Sequence, residues 1–384
     1  MDFHETGEQR ALRAAVAALA GDFGHAYYLA KSRAGTPGHE LWAALGRHGF
    51  LGVHLPEEYG GGGGGVYELH LVAEELAAAG CPVLLTAVSP AICGSILAAH
   101  GTPEQRRRWL PGIASGELVM AFAVTEPDAG SNTHNLATTA TRQGGEVVLR
   151  GTKQFISGLD EAHAVLVVAR TGADAAGRAR LGLVVVPTDA AGLDRTRIPM
   201  EIRAPEHQYT LFLDDVRVPA DHLVGGDGDG LRAVFAGLNP ERILGAAIGG
   251  GVGRYALGKA AGYARERRVW GVPVGAHQGV AHPLAHASIQ VELARLMTQR
   301  AAWLHDAGDP AAGSAANMAK DAAAEAGLLA LDQAMQAHGG NGLATEYGLA
   351  TLWGAVRLLR TAPISREMIL NHVAQHGLGL PRSY

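Results

Sequence analysis

Near Val119 the apolar residues stop recurring at helical spacing and fall into short β-rich runs; near Gly230 they change back. This double switch of period constrains the fold most, because a 3.6-residue stripe and a two-residue alternation bury different faces. Residues 1–118 predict an N-terminal all-α domain. Leu12, Val16, Leu19 and Phe23 share one helical face there, and 72–79, 90–100 and 103–116 carry helical spacing, the last capped at Thr102-Pro103. Residues 119–226 predict a middle β domain, with runs at 119–124, 146–150, 164–169, 181–186 and 209–213 parted by turns such as Gly144-Gly145 and Thr171-Gly172. That spacing suits a small antiparallel β-barrel or sandwich, not a parallel Rossmann sheet. Residues 227–384 predict a C-terminal helical bundle. Its first helix is expected to start with Asn239 as cap and Pro240 at the first helical position, and to run to about Arg268. The fold class is α+β.

Composition narrows the function. A chain of 384 residues, 47% hydrophobic and 18% charged, can bury a large core. Its formal net charge of -5, without a long basic run, argues against nucleic acid as a partner, since phosphate binding relies on clustered Lys and Arg. Arg106, Arg107 and Arg108, and the group Arg265, Arg267 and Arg268, read as solvated helix faces. Cys81 and Cys93 are the only cysteines, too few for a disulfide framework or a CxxC metal site, so a reducing, cytoplasmic location is expected. Neither a signal peptide nor an apolar run long enough to cross a membrane is read. His282 and His286 are spaced i, i+4 without an accompanying carboxylate motif, and no metal site is expected. The glycines from Gly60 to Gly65 lack phosphate-loop spacing and read as a flexible surface connection.

Two short segments carry the chemistry. Thr125-Glu126-Pro127-Asp128-Ala129-Gly130-Ser131-Asn132 and Gly151-Thr152-Lys153-Gln154-Phe155-Ile156-Ser157-Gly158 each join a strand-like run to a turn rich in Gly and hydroxyl residues. Such turns aim N–H groups and hydroxyls at a flat polar ligand. The first resembles the TEPxAGSD signature of the acyl-CoA dehydrogenase family, and the second resembles that family's GxKxWITN segment. Leu55 to Gly61 is similar to the family's PEEYGG, Arg267 to Gln278 to its RxxFGxxxxxxQ segment, and Gln336 to Gly342 to its QxxGGxG turn. The resemblance covers nearly the whole chain. It implies a three-domain architecture: N-terminal helices, a middle β domain and a C-terminal four-helix bundle.

The resemblance also implies FAD as cofactor and a set of site residues. Thr125 and Ser157 would hydrogen-bond the flavin ring edge, Phe155 would pack against the ring, and Phe122 and Val124 would neighbour it. Ser131 would reach the cofactor phosphates or the incoming thioester. Arg267, Trp270, Gln278, Gln336, Gly339 and Gly340 would hold the dinucleotide half of a neighbouring subunit's FAD, which implies a homodimer or homotetramer. Ser365 falls at the Thr of the family's YEGTS segment, where Pro363 takes the place of the catalytic Glu. A subset of the family places its base before an Arg near the start of the long C-terminal-domain helix; Pro240-Glu241-Arg242 fits that place. Glu241 is then the expected base and Arg242 a substrate contact. Burial would raise the Glu241 pKa, and a helix N-terminus would lower it.

The activity so implied is α,β-dehydrogenation of an acyl-CoA thioester to the trans-2-enoyl-CoA, with Glu241 taking the α-proton and flavin N5 the β-hydride. An acyl-carrier-protein thioester is an alternative substrate, and an electron-transfer flavoprotein or similar acceptor would take the electrons. Two readings on the same fold stay open: a flavin oxidase or monooxygenase, and one subunit of a mixed complex. Pro363 raises a further question, because the family's thioester carbonyl bonds a backbone N–H there and proline has none.

Overall fold

The computed structural model describes residues 4–173, 179–225 and 230–382. The N-terminal helices are α1 (Gly7–Ala34), α2 (His39–Arg47), α3 (Val66–Ala78), α4 (Ser95–His100) and α5 (Pro103–Ser115). Reciprocal capping boxes start α1 at Thr6 and α5 at Thr102, each satisfying two otherwise orphaned N–H groups. A π-helical segment, Ala87–Gly94, precedes α4 and is buried throughout. It contains Pro90, whose carbonyl lies 3.0 Å from His54 Nε2. Residues 90–100, expected to form one helix, thus divide between two helical windings, and π segments of this kind recur at functional sites.

Glycines 60–65 are not a flexible connection. The N–H groups of Gly62, Gly63 and Gly64 donate to the carbonyls of Gly52, Leu55 and Val53, each at 2.9 Å. Asp306 then accepts from the N–H groups of Val66 and Tyr67 at 2.9 and 2.8 Å, closing the N-terminus of α3. A Cβ on Gly61 would lie 2.1 Å from the Leu55 carbonyl oxygen, so this run follows its neighbouring backbone too closely for larger residues.

The middle region forms one eight-stranded sheet from β1 (Met120–Ala123), β2 (Thr139–Gln143), β3 (Glu146–Ser157), β4 (Ala164–Ala173), β5 (Ala179–Pro187), β6 (Leu193–Ile198), β7 (Gln208–Pro219) and β8 (Leu223–Val224). The order is β6-β7-β3-β2-β4-β5-β8, with β1 paired to β4. Most pairings are antiparallel, as expected, but β1 and β2 each meet β4 in parallel. β4 is buried on both faces where β1 covers it, which explains its unbroken apolar run from Ala164 to Ala169. Strands β2 and β6 had no sequence signal: TATRQ and LDRTRI are polar and largely exposed.

The C-terminal region begins with α6 (Gly230–Glu266), which contains Pro240 in its interior. The expected start at Asn239 is therefore wrong: Asn239 is no cap, and its side-chain Oδ1 accepts from Arg242 Nη1 at 2.9 Å. A two-stranded hairpin, β9 (Arg268–Val269) and β10 (Val272–Pro273), leads to α7 (Gln278–Asp306), α8 (Ala312–His338), α9 (Leu349–Leu358) and α10 (Arg366–His372). Helices α6, α7 and α8 pack together, and α9 completes the bundle against α8 and α6. Close approach of α6 and α8 needs glycine on both: a Cβ on Gly327 would sit 2.6 Å from the Gly249 carbonyl oxygen.

Candidate active site

The two hydroxyl-rich segments meet through a buried ion pair. Lys153, wholly buried in β3, donates to Glu126 Oε1 and to the Val124 carbonyl, both at 2.9 Å. Glu126, 6% exposed, also accepts from the N–H groups of Ala137 and Thr138. These donors hold its carboxyl below its ordinary pKa against the opposing effect of burial. Burial prevails at Lys153, which is lowered to about 8. Gln154 N–H donates to the Thr125 carbonyl at 2.9 Å and fixes the register between the segments. Both ion-pair partners stand inside the quoted motifs, yet only the hydroxyls and the ring of those motifs carried an expected role.

This tie determines what the segments present. A register shift between Lys153 and Ile156 makes a bulge in β3, and Phe155 on it has φ of 60°. A bulky residue rarely adopts that conformation, and strain of this kind gathers at ligand sites. The result is an aromatic ring 52% exposed beside half-buried Ser157. The Ser157 hydroxyl lies against the side-chain amide of Gln208, 3.0 Å from Oε1 and 2.9 Å from Nε2. Thr125 and Val124 are half-buried at the end of β1, Phe122 is buried within it, and Ser131 is exposed further along. An exposed ring with hydroxyls alongside fits a ligand that has an apolar face and a polar edge, as a flavin has.

Glu241 sits well inside α6. Gly237, one turn earlier, lies against Ile92 and Ile96, so this part of α6 packs on the buried π segment and α4. Cys93 in that segment donates towards the Ala121 carbonyl of β1 at 3.5 Å, and its thiol is pushed up by burial and by the Glu241 charge. Through Cys93 the strand that carries Phe122 and the helix that carries Glu241 are neighbours. Glu241 keeps only part of its surface accessible, and burial raises its carboxyl to about 8 despite Arg242 and Lys320. The competition between burial and the helix start is settled by the fold, since Glu241 is not in the first turn of α6. Arg242, 7% exposed, has no hydrogen-bond partner for its Nε among the described residues and lies 5.8 Å over the half-exposed Phe235 ring.

Lys320 of α8 was not anticipated. It is 1% exposed, and its ammonium donates to the Ile364 carbonyl in the turn that contains Pro363. The sequence around it, AANMAKDAAAE, gives no signal beyond a helix. Ser365 closes the same turn, where its hydroxyl caps α10 by accepting from Met368 N–H at 3.3 Å. Pro363 lies inside this turn, and Ser365 begins α10.

The remaining predicted residues gather at the other end of the bundle. Glu241 and the end of α6 at Glu266 are separated by about 38 Å of helix at 1.5 Å per residue. Trp270 and Gly271 have φ of 50° and 85°, the two-residue turn that joins β9 to β10, and Trp270 is 87% exposed. Arg267 and Gln278, on either side of the hairpin, and Gln336, Gly339 and Gly340 at the end of α8 are also exposed. Tyr263 stacks on His338 at 4.4 Å and accepts from Asn341 Nδ2 at 3.1 Å, joining the ends of α6 and α8. These residues form one exposed cluster, remote from Glu241 of the same chain.

Comparison with known proteins gives the family and the fold. The acyl-CoA dehydrogenase N-terminal, middle and C-terminal domain families match residues 6–117, 121–216 and 228–378. The chain is 59% identical over 383 residues to the acyl-CoA dehydrogenase FadE12 of Mycobacterium tuberculosis, covering 100% of this chain and 99% of that one. The solved glutaryl-coenzyme A dehydrogenase–glutaryl-CoA complex superposes with a TM-score of 0.93 at 30% identity, covering 100% of this chain and 98% of that one. The butyryl-CoA dehydrogenase of Megasphaera elsdenii follows with a TM-score of 0.91 at 26% identity, covering 96% and 98% of the two chains. The chain belongs to the acyl-CoA dehydrogenase family of oxidoreductases.

Proposed function

We propose that this protein oxidises an acyl-CoA thioester to the trans-2-enoyl-CoA, with FAD as cofactor and Glu241 as the base. The observation that carries the reading is Glu241 itself: a partly accessible carboxylate raised by burial to about 8, next to the buried Arg242, on the part of α6 that packs against the π segment behind β1. A general base works best when its pKa lies near the working pH, and an ordinary carboxylate is too weak for an α-proton. About one tenth of such a group is ionised at pH 7 in the ligand-free protein. Pro363, at the family's commoner base position, cannot compete for the role.

The residues near Glu241 divide the work. Asn239 Oδ1 holds the Arg242 guanidinium by accepting from Nη1 at 2.9 Å, and Arg242 would be a contact for the substrate. Phe235, 44% exposed beside Arg242, offers apolar surface to the acyl chain. Thr125, Ser157 and Phe155 would hold the flavin ring, with Phe122 and Val124 behind it. Ser131 would meet a phosphate or the thioester, and Ser365 would lie at the cofactor side of the Pro363 turn. When bound, FAD supplies the two-electron acceptor for the β-hydrogen.

The distance between Glu241 and the Arg267, Trp270, Gln278, Gln336, Gly339 and Gly340 cluster supports a dimeric site, in which that cluster serves the neighbour's cofactor. Electrons would leave through an electron-transfer flavoprotein or similar acceptor. Among the described residues no helix is long and apolar enough to cross a membrane.

Product analysis tests the reading. FAD-loaded protein incubated with an acyl-CoA panel and an artificial electron acceptor should yield the trans-2-enoyl-CoA of at least one member, detected by mass. Hydrogen peroxide or an oxygenated product formed instead would favour the oxidase or monooxygenase reading. Chain length, branching and the choice between CoA and a carrier protein would follow from the same panel.

A further inference from the structure

Gln208 stands first in β7, directly across from Ser157, the last residue of β3. Side chains at such a rung lie on one face of the sheet, close enough to touch. These two do: the Ser157 hydroxyl is 3.0 Å from the Gln208 side-chain oxygen and 2.9 Å from its nitrogen. Both residues are half-buried, two positions along β3 from the exposed Phe155 ring. Gln208 lies outside both hydroxyl-rich segments and had no expected role.

The rung is fixed on both sides. Gly158 N–H donates to the His207 carbonyl at 2.9 Å, and His207 Nδ1 lies 2.8 Å from Asp160 in the turn that follows β3. Glu206 accepts from Leu84 N–H at 2.9 Å. Gly158 has φ of 65°, and a Cβ there would sit 2.6 Å from the Leu85 side chain. The backbone that carries the Gln208 amide is thus tied to the turn after Ser157 and to Leu84.

A serine hydroxyl has one proton to give and lone pairs with which to receive. Beside a hydrocarbon side chain it could still accept from a ligand N–H, but its own proton would then lack a partner. Gln208 offers both an acceptor and a donor. When its nitrogen donates to Ser157, the hydroxyl proton is free for an acceptor atom on the ligand. When its oxygen accepts from Ser157, a hydroxyl lone pair is free for a ligand N–H. A flavin edge presents both, because its N5 is an acceptor when oxidised and an N–H when reduced.

We infer that Gln208 is a positioning residue, whose amide lets the Ser157 hydroxyl reverse its hydrogen-bond direction between the oxidised and the reduced cofactor. This role rests on Ser157 meeting the flavin ring edge. Its effect falls mainly on the reduced state, in which the hydroxyl proton needs the Gln208 oxygen, since an unused lone pair costs less than an unpaired donor. A glutamine that served only to pair β7 with β3 could be replaced by any side chain that leaves the backbone rung intact. A glutamine that also directs the hydroxyl could not.

The flavin midpoint potential separates the two roles without a substrate. It is measured by spectroelectrochemical titration of four FAD-loaded proteins: wild type, Gln208→Met, Ser157→Ala and the double variant. Gln208→Met should shift the equilibrium towards oxidised flavin by about fivefold, a fall of about 20 mV for a two-electron couple. The same substitution in the Ser157→Ala background should leave the potential where Ser157→Ala puts it. Gln208→Leu supplies a second neutral side chain if the Met variant folds poorly. An unshifted potential in the neutral Gln208 variants, or an equal shift with and without the Ser157 hydroxyl, would overturn the inference. Ser157→Ala with FAD affinity and potential both unchanged would place that hydroxyl away from the ring, removing the flavin-edge reading and the inference with it. A changed Ser157→Ala beside unshifted Gln208 variants would remove the inference alone.

Discussion

Replacing Lys153 with methionine tests whether the two hydroxyl-rich segments are a single unit. Lys153 is wholly buried and Glu126 nearly so, and the ammonium makes two bonds of 2.9 Å, to Glu126 and to the Val124 carbonyl. Methionine fills the space but leaves Glu126 as a buried charge with only the Ala137 and Thr138 N–H groups as donors. Breaking one side of a buried pair costs about 3–5 kcal/mol, and the Val124 carbonyl loses about 1 kcal/mol more. The two retained amide donors place the expected loss near the lower end, about 3–4 kcal/mol. The double variant Lys153→Met, Glu126→Gln removes the stranded charge and should recover about 1–3 kcal/mol as a coupling energy. Urea unfolding of the four proteins of the cycle measures the energies, and FAD retained on gel filtration measures the consequence for the site. A single Lys153→Met variant that loses under about 1 kcal/mol and keeps its FAD would refute the role of this pair.

Three further outcomes follow from the same geometry. Phe155→Gly relieves a left-handed backbone conformation, so the FAD-free protein should be unchanged or gain about 1 kcal/mol, while FAD affinity falls at least about tenfold through loss of the ring wall; calorimetry and a flavin-quenching titration read the two. Glu241 has its folded pKa raised, so its stabilising effect is complete below the unfolded value near 4.5 and is lost as pH rises through about 8. Glu241→Gln should therefore gain on the wild type by roughly 2–4 kcal/mol between pH 4.5 and 8.5, and a gap in urea-unfolding energy that stays constant with pH would contradict this burial account. Co-expressing Glu241→Gln with Arg267→Ala should restore activity that neither has alone, to about a quarter of wild type for random dimers; no restoration would place Arg267 and Glu241 at one chain's site or outside it.

The sequence made the architecture legible because period and turn chemistry agree over most of its length. Exposed and polar β2 and β6 escaped, since their strand state comes from pairing with β3 and β7 and not from an apolar face. Pro240 suggested a helix start by the ordinary rule for proline, but packing on the π segment carries α6 through it from Gly230. The glycine run lacks side chains to signal order, and its order lies in main-chain bonds to residues 52–56. Within the site, hydroxyls and rings stood out by resemblance. Lys153 and Glu126 were visible in the motifs, but their link is a three-dimensional fact. Lys320 had no local signal at all, because its role depends on a turn in the chain past Arg360.

The most direct test of Glu241 as the base is an anaerobic titration of the FAD-loaded protein with an acyl-CoA panel, following flavin absorbance in the wild type and in Glu241→Gln. The expected result is bleaching of the wild-type flavin by at least one acyl-CoA, and retention of the oxidised spectrum in Glu241→Gln although the same ligand still binds. Equal bleaching in both proteins would contradict the assignment of the base, and a bound flavin that no acyl-CoA reduces in the wild type would contradict the proposed reaction.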